Sequence, residues 1–318
     1  PGGPLANAFD LKLKNPANTN CLPIPGRDRV LALWEAGPPH ALDAHTLETV
    51  GCDTIDGRVE PGPPGALPLD LPLPFTGDAV SAHYAACATT ERTVAWSWRR
   101  PAVGDDLFVK LHELSDVSGH AEGGVDGVLE GVSFAPHDIG ATPTRACFLA
   151  APATVDVLGY VLGFRGPAQG VFFDDARISA GEGTTLHALD RTTGGKAERY
   201  VCKDAYHPIH VANAWDDKAS GCPSMIAACW PPGCVNAMAS ERRDILGDWA
   251  PLLGGDFSGA AVTQLVRFEG AQDGAATARV LCSGAHLDHC KVHPASGGLE
   301  NKFVYASAGA AVARGDVD

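Results

Sequence analysis

Residues 94–98 read VAWSW. Bulky Val94, Trp96 and Trp98 alternate with small Ala95 and Ser97, and a period of two sends successive side chains to opposite faces of a strand. The pattern predicts a β-strand with one bulky face turned to a core. The surroundings repeat the theme at lower contrast. Glycine (37) and proline (24) recur throughout and cut the chain into short apolar runs, which is how an all-β chain reads. Further strands are expected at residues 30–34, 93–98, 107–111, 146–149, 171–173, 185–189, 224–229 and 303–305, most of them near the usual strand length of about five.

The intervening segments are turn-like. Residues 40–51 (HALDAHTLETVG) and 187–195 (HALDRTTGG) each carry an apolar strand end, an Asp, and a Thr- or Gly-containing turn. Asp and Gly suit tight turns between antiparallel strands, and hairpins repeated in this way are what propeller blades look like. The proline-rich segment 60–74 excludes a helix interior or a central strand and reads as a surface connection. Helical periodicity is scarce, with a single helical turn expected at 240–246. No internal linker separates two compositions, so a single domain over residues 1–318, or a piece of one, is expected.

Composition narrows the function classes. The chain of 318 residues is 45% apolar and carries a formal net charge of −14. An acidic surface repels nucleic acid and anionic lipid, so neither is expected as a main partner and a neutral or apolar substrate fits better. No stretch approaches the roughly 20 apolar residues of a bilayer span; peripheral contact with lipid through an apolar loop stays open. The chain begins at Pro1 without an initiator Met, and a removed targeting segment would leave no trace, so plastid and cytoplasm are both open as locations. Ten cysteines are scattered along the chain. Cys222, Cys229 and Cys234 form a C-x6-C-x4-C cluster without the tight pairs of a zinc site. Reduced thiols, many of them filling the core, are expected.

Chemistry concentrates on histidine. His83 lies in SAHY (81–84), His137 in PHDIGAT (136–142) and His210 in IHVANAWDD (209–217). Their wide separation excludes a local helical motif such as H-E-x-x-H and suits ligands donated one per blade toward a central axis. His207, three residues before His210, is the alternative third ligand. The remaining histidines (His40, His45, His112, His120, His187, His286, His289 and His293) are read as surface or satisfied core residues.

These three contexts, in this order, resemble the iron-binding histidine motifs of the carotenoid cleavage oxygenases, the family that includes the retinal pigment epithelium retinoid isomerase. Residues 15–51 and 291–306 are similar to the family's stretches before the first histidine and after its E-F-P motif. The resemblance implies a seven-bladed β-propeller with Fe(II) on its axis, held by His83, His137 and His210 together with a fourth histidine. That fourth residue has no counterpart before Asp318, nor has the family's opening segment a counterpart near Pro1, so an incomplete propeller is expected. Glu35 falls on a carboxylate that orients the ligands in the family. Asp288 stands where the family has Glu, one methylene longer, and its hydrogen bond to an imidazole is expected to be lost or to need a water. Glu35 as a surface carboxylate and Asp288 as a turn residue are the structural alternatives.

The reaction the resemblance implies is O2-dependent cleavage of a carotenoid or apocarotenoid double bond to two carbonyl products. A non-catalytic propeller fragment that binds an apolar ligand or a protein is a second reading. A lactonase-like metal hydrolase is a third, disfavoured because such enzymes need carboxylate or Asn ligands for calcium or zinc.

Overall fold

The computed structural model describes residues 14–101, 103–156, 171–232, 262–308 and 311–316. They form a succession of antiparallel sheets. The first is a meander of Asn20–Ile24, Arg29–Leu33, His40–Asp43 and Thr49–Cys52. The second is centred on the hairpin Arg92–Pro101 and Leu107–Ser115. Ala79–Val80 and Ala85–Cys87 pair with one side of it and Asp126–Leu129 with the other. The third runs Gly140–Ala141, Arg145–Ala150, Thr185–Asp190, Glu198–Val201, and the fourth His207–Asp216, Pro223–Trp230, Gln264–Gly270, Ala276–Cys282. Leu287–Lys291, Phe303–Ala308 and Ala311–Asp316 make the fifth. The five sheets follow one another along the chain, with two departures: Ala153–Val155 and Val171–Phe173 form a separate two-stranded pair within the third sheet's span, and Gly195–Lys196 returns to pair in parallel with Asp126–Leu129 of the second. The helical turn expected at 240–246 lies outside the described residues. Among those described, no helix is long and apolar enough to cross a membrane.

The core is divided into layers between neighbouring sheets, because both faces of most strands are covered. Leu22, Leu31, Leu33, Ala95 and Leu114 fill the layer between the first and second sheets. Val94, Trp96, Leu111, Leu129, Phe148 and Leu189 fill the next. Leu149, Leu186, Val211, Met225 and Phe268 belong to the third layer, and Trp215, Ile226, Leu265 and Val304 to the fourth. Period-two alternation therefore sorts residues between two cores rather than between core and solvent. VAWSW illustrates this: its bulky face meets a core as expected, and its small face is covered as well. Val94, Trp96 and Trp98 point into the second layer, where the Trp96 ring meets Phe148 edge-on at 5.0 Å. Ala95 and Ser97 are buried on the other face. There the small side chains allow close approach of the neighbouring layer.

The two Asp turns close as read. Asp43 accepts from the backbone N–H groups of His45 and Thr46, and Asp190 from those of Thr192 and Thr193. A third copy, unread in the sequence, closes the fourth sheet's first hairpin, where Asp217 accepts from Ala219 and Ser220. Segment 60–74 runs as a connection, apart from the two-residue strand Leu69–Asp70, which pairs in parallel with Arg100 and Pro101 at the edge of the second sheet.

Candidate metal centre

The second, third and fourth sheets each contribute one imidazole, from an inner strand or from the segment leading into one. His83 sits in the break between Ala79–Val80 and Ala85–Cys87, where its backbone N–H donates to Ser81 Oγ at 3.2 Å. His137 stands just before Gly140–Ala141. His210 lies within His207–Asp216, directly after an irregularity in register between Pro208 and His210. Gly140 permits this convergence: a Cβ there would come within 2.6 Å of Ala214 Cβ, so the two inner strands approach at a distance only glycine allows.

The three rings form one cluster. Centroids are 4.4 Å apart for His83 and His137, and 5.0 Å for each of those with His210. One nitrogen from each lies within 4.8 Å of the others. His137 Nε2 and His210 Nε2 are 3.3 Å apart, which is close to what two nitrogens about 2.1 Å from a shared ion would show. An N–H···N hydrogen bond gives a similar spacing. A shared cation is favoured because His83 Nε2 is buried with no hydrogen-bond partner at all, as is Glu35 Oε1 beside it. A polar atom costs free energy when buried unpaired, and a cation relieves that cost at both atoms.

Carboxylates surround the rings. Glu35 Oε1 lies 3.5 Å from His137 Nδ1 and 3.8 Å from His83 Nε2. Asp288 Oδ1 contacts His210 Nδ1 directly at 2.5 Å, so the shorter side chain still reaches the imidazole, against the expectation of a lost or water-mediated bond. The inner strand Leu287–Lys291 brings it close enough. Asp138 is a third carboxylate that sequence reasoning quoted but gave no role. It is buried, 3.9 Å from His83 Nδ1, and accepts from the N–H groups of Ile139 and Val211. The signal available was its place directly after His137. It also ties the third sheet to the fourth beside the cluster.

These surroundings set protonation. Burial pushes the His83 imidazole below its ordinary value, the Asp138 and Glu35 charges opposing only in part. A neutral ring with a free lone pair results, the form that binds a metal. Burial also presses His137 down, but the Glu35 carboxylate, with Asp138 and Asp288 farther off, reverses the direction and its pKa is raised. Asp288 is held below the usual carboxylate range: burial works against ionisation, and the bond to His210 outweighs it.

The other sequence candidates fall elsewhere. His207 is stacked on Trp230 (centroids 5.3 Å, 16° between planes) with Phe173 edge-on at 5.5 Å, outside the cluster of three. Burial lowers it to about 4. His289 is exposed, stacks on His210 at 4.6 Å, and forms with His210 and Asp288 a second group of side chains able to hold a metal. His293 caps the 3-10 turn Pro294–Ser296 through Nδ1. Tyr84, directly after His83, turns its hydroxyl to the Cys21 carbonyl. Cys222 and Cys229 are free thiols in the third core layer, Cys234 lies outside the described residues, and no cysteine joins a candidate metal cluster among those described.

Comparison with known proteins places this geometry in context. The family model described as "Retinal pigment epithelial membrane protein" matches residues 2–316. Apocarotenoid-15,15'-oxygenase of Synechocystis sp. is 28% identical over 307 residues, which cover 96% of this chain and 56% of the relative. The chain thus spans a little over half the length of that protein. Cobalt-substituted Synechocystis apocarotenoid oxygenase superposes with a TM-score of 0.74 at 25% identity, covering 99% of this chain and 60% of the other. A chimera of apocarotenoid oxygenase and the retinal pigment epithelial protein gives 0.73 at 25% identity, with 99% and 60% coverage. The fold is accordingly that of the all-β, seven-bladed propeller family.

Proposed function

Because the chain belongs to the retinal pigment epithelial membrane protein family, we propose that it works as an Fe(II)-dependent dioxygenase that cleaves a carotenoid or apocarotenoid C=C bond with O2, giving two carbonyl products. The observation that carries this reading is the meeting of His83, His137 and His210 from three different sheets, with His83 Nε2 buried and unpaired. An all-imidazole donor set suits a redox-active divalent ion such as iron better than calcium or magnesium, which take oxygen ligands. It argues equally against a calcium-dependent hydrolase.

His83, His137 and His210 would hold the ion. Imidazoles are neutral and leave its charge uncompensated; Glu35, Asp138 and Asp288 lie close enough to offset it. Asp288 fixes the tautomer of His210: an N–H at Nδ1 donates to the carboxylate, so Nε2 keeps its lone pair and faces His137. The Glu35 carboxylate lies 3.5 Å from Nδ1 of His137 and supports that ring by its charge. When bound, Fe2+ supplies the one-electron chemistry that triplet O2 needs in order to react with a closed-shell polyene. The protein contributes position and a dry setting. No side chain has to act as a general acid or base.

Incubating the purified protein with an apocarotenal under air, followed by chromatography, tests the reading. A shorter aldehyde that appears only with O2 and iron is expected. No product from iron-loaded, folded protein would favour the second reading, a propeller that binds apolar ligand without turnover.

A further inference from the structure

Residues 294–301 occupy an unusual place. They include the 3-10 turn Pro294–Ser296 in the loop between Leu287–Lys291 and Phe303–Ala308 of the fifth sheet, yet they are gripped by the inner strands of three other sheets. The Gly297 carbonyl accepts from the Ala88 N–H at the end of the second sheet's inner strand. A Cβ on Gly297 would fall 2.6 Å from the Ala86 carbonyl. Gly298, at φ +80°, is equally enclosed: a Cβ there would be 2.9 Å from Cys87 Sγ and 3.1 Å from the Ala141 carbonyl of the third sheet. The fourth sheet supplies Asn213. Its Nδ2 shares its two hydrogens among the carbonyls of Ser296 (3.2 Å) and Leu299 (2.7 Å) and Asn301 Oδ1 (2.8 Å), while its Oδ1 accepts from the Gly298 N–H at 3.0 Å. The amide is buried and engaged at both ends.

The spacing of these contacts matters. Ala86 and Cys87 follow His83 by three and four residues, Ala141 follows His137 by four, and Asn213 follows His210 by three. The loop therefore contacts each of these three segments three or four residues beyond its histidine. We infer that residues 294–301 form an axial plug that sets the mutual spacing of the histidine-bearing strands, and that Asn213 is the positioning residue that seats it. Among the described residues, no hydrogen bond joins the plug to the three rings. The plug fixes the far ends of three strands whose near ends carry the imidazoles, so loosening it changes the N–N distances at the cluster. This inference rests on the metal reading above, and its readout is metal binding rather than turnover.

Cobalt(II) is the probe, with affinity measured by chelator competition and geometry by its visible absorption bands. Asn213→Asp keeps the shape but replaces the donor group with a carboxylate facing three acceptor oxygens. Cobalt affinity is expected to fall by about 10–100-fold, as when other groups that orient metal ligands are removed, with a shifted cobalt spectrum. Asn301→Ala removes one of the four contacts, should lower affinity less, and replaces Asn213→Asp if that variant does not fold. Phe268→Leu, in the third core layer and away from the plug, is the destabilised control and should keep the wild-type spectrum and affinity. Wild-type affinity and spectrum in a folded Asn213→Asp or Asn301→Ala protein, or an equal loss in Phe268→Leu, would overturn the plug while leaving the metal site standing. A wild-type protein that binds no cobalt would remove both.

Discussion

Two histidines are locked inside the layered core and a third, His207, is half-buried against Trp230, and the fold should lose stability in mild acid because of them. Burial lowers His112 and His187 to about 3 and His207 to about 4, against about 6.5 in an unfolded chain. The folded-state pKa is depressed, so the stabilising contribution of each neutral ring is fully present above pH 6.5 and is lost as pH falls toward the folded value. Between those limits the unfolded chain binds one more proton per ring, and each ring makes stability fall by about 1.4 kcal/mol per pH unit. Together the three make the slope about 4 kcal/mol per unit between pH 6 and 5, a large part of the 5–15 kcal/mol that holds a typical domain. His83 shifts in the same direction and adds to the loss. His137 shifts the other way, which means its effect appears as pH rises above 6.5 and adds nothing to this window. Asp43, Asp190 and Asp217, lowered chiefly by backbone N–H groups in their turns, lose their contribution only as pH falls below the ordinary carboxylate value, so pH 5–6 reports on histidine. Urea unfolding of metal-free protein, followed by tryptophan fluorescence at pH 7.5, 6 and 5, measures the slope. Replacing His187, opposite Phe148 in the register, by Gln should flatten it by about one third. Equal midpoints at pH 6 and 5 would refute the reasoning.

Asp288→Asn should weaken cobalt or iron binding by about 10–100-fold by removing the charge that orients His210, measured by chelator competition; unchanged affinity would make Asp288 a bystander. Arg191 and Glu113 form a buried bidentate pair (2.7 and 2.6 Å) between the third and second sheets, so Arg191→Met strands a buried carboxylate and should cost about 3–5 kcal/mol in denaturant unfolding. Gly140→Val forces a side chain against Ala214 and Met225; a loss of about 1–3 kcal/mol is expected, together with weaker metal binding, since the strands bearing His137 and His210 must separate.

Much of this architecture was legible because the bulky strands announce themselves. All eight expected runs fall on strands, with only Trp34 of run 30–34 lying past a strand end, and the expected turn aspartates make the turns. What stayed hidden has physical causes. His207–Asp216, the strand that carries His210, contains Pro208 and two irregularities of register, and these erase the period of two. Strands such as Asn20–Ile24 and Ala276–Cys282 are partly exposed and short of large apolar residues, which leaves little pattern to read. The covered second face of VAWSW was unreadable because Ala95 and Ser97 are small, and small residues suit solvent and close packing equally. At the candidate metal centre, motif context singled out His83, His137, His210, Glu35 and Asp288, and the fold brings all five together. Asp138 was missed because its role depends on reaching the Val211 N–H, 73 residues away along the chain. Asn213 was quoted only as part of a motif; its partners lie 83–88 residues downstream, and no local pattern points to them.

The central claim is that three imidazoles from separate sheets share one metal ion. Elemental analysis of protein purified without chelator, beside His137→Ala prepared in the same way, tests it most directly. The account predicts about one equivalent of iron per chain in the wild type and close to none in the variant. Folded wild-type protein that takes up no iron even when iron is supplied, or a variant that retains the wild-type amount, would contradict it.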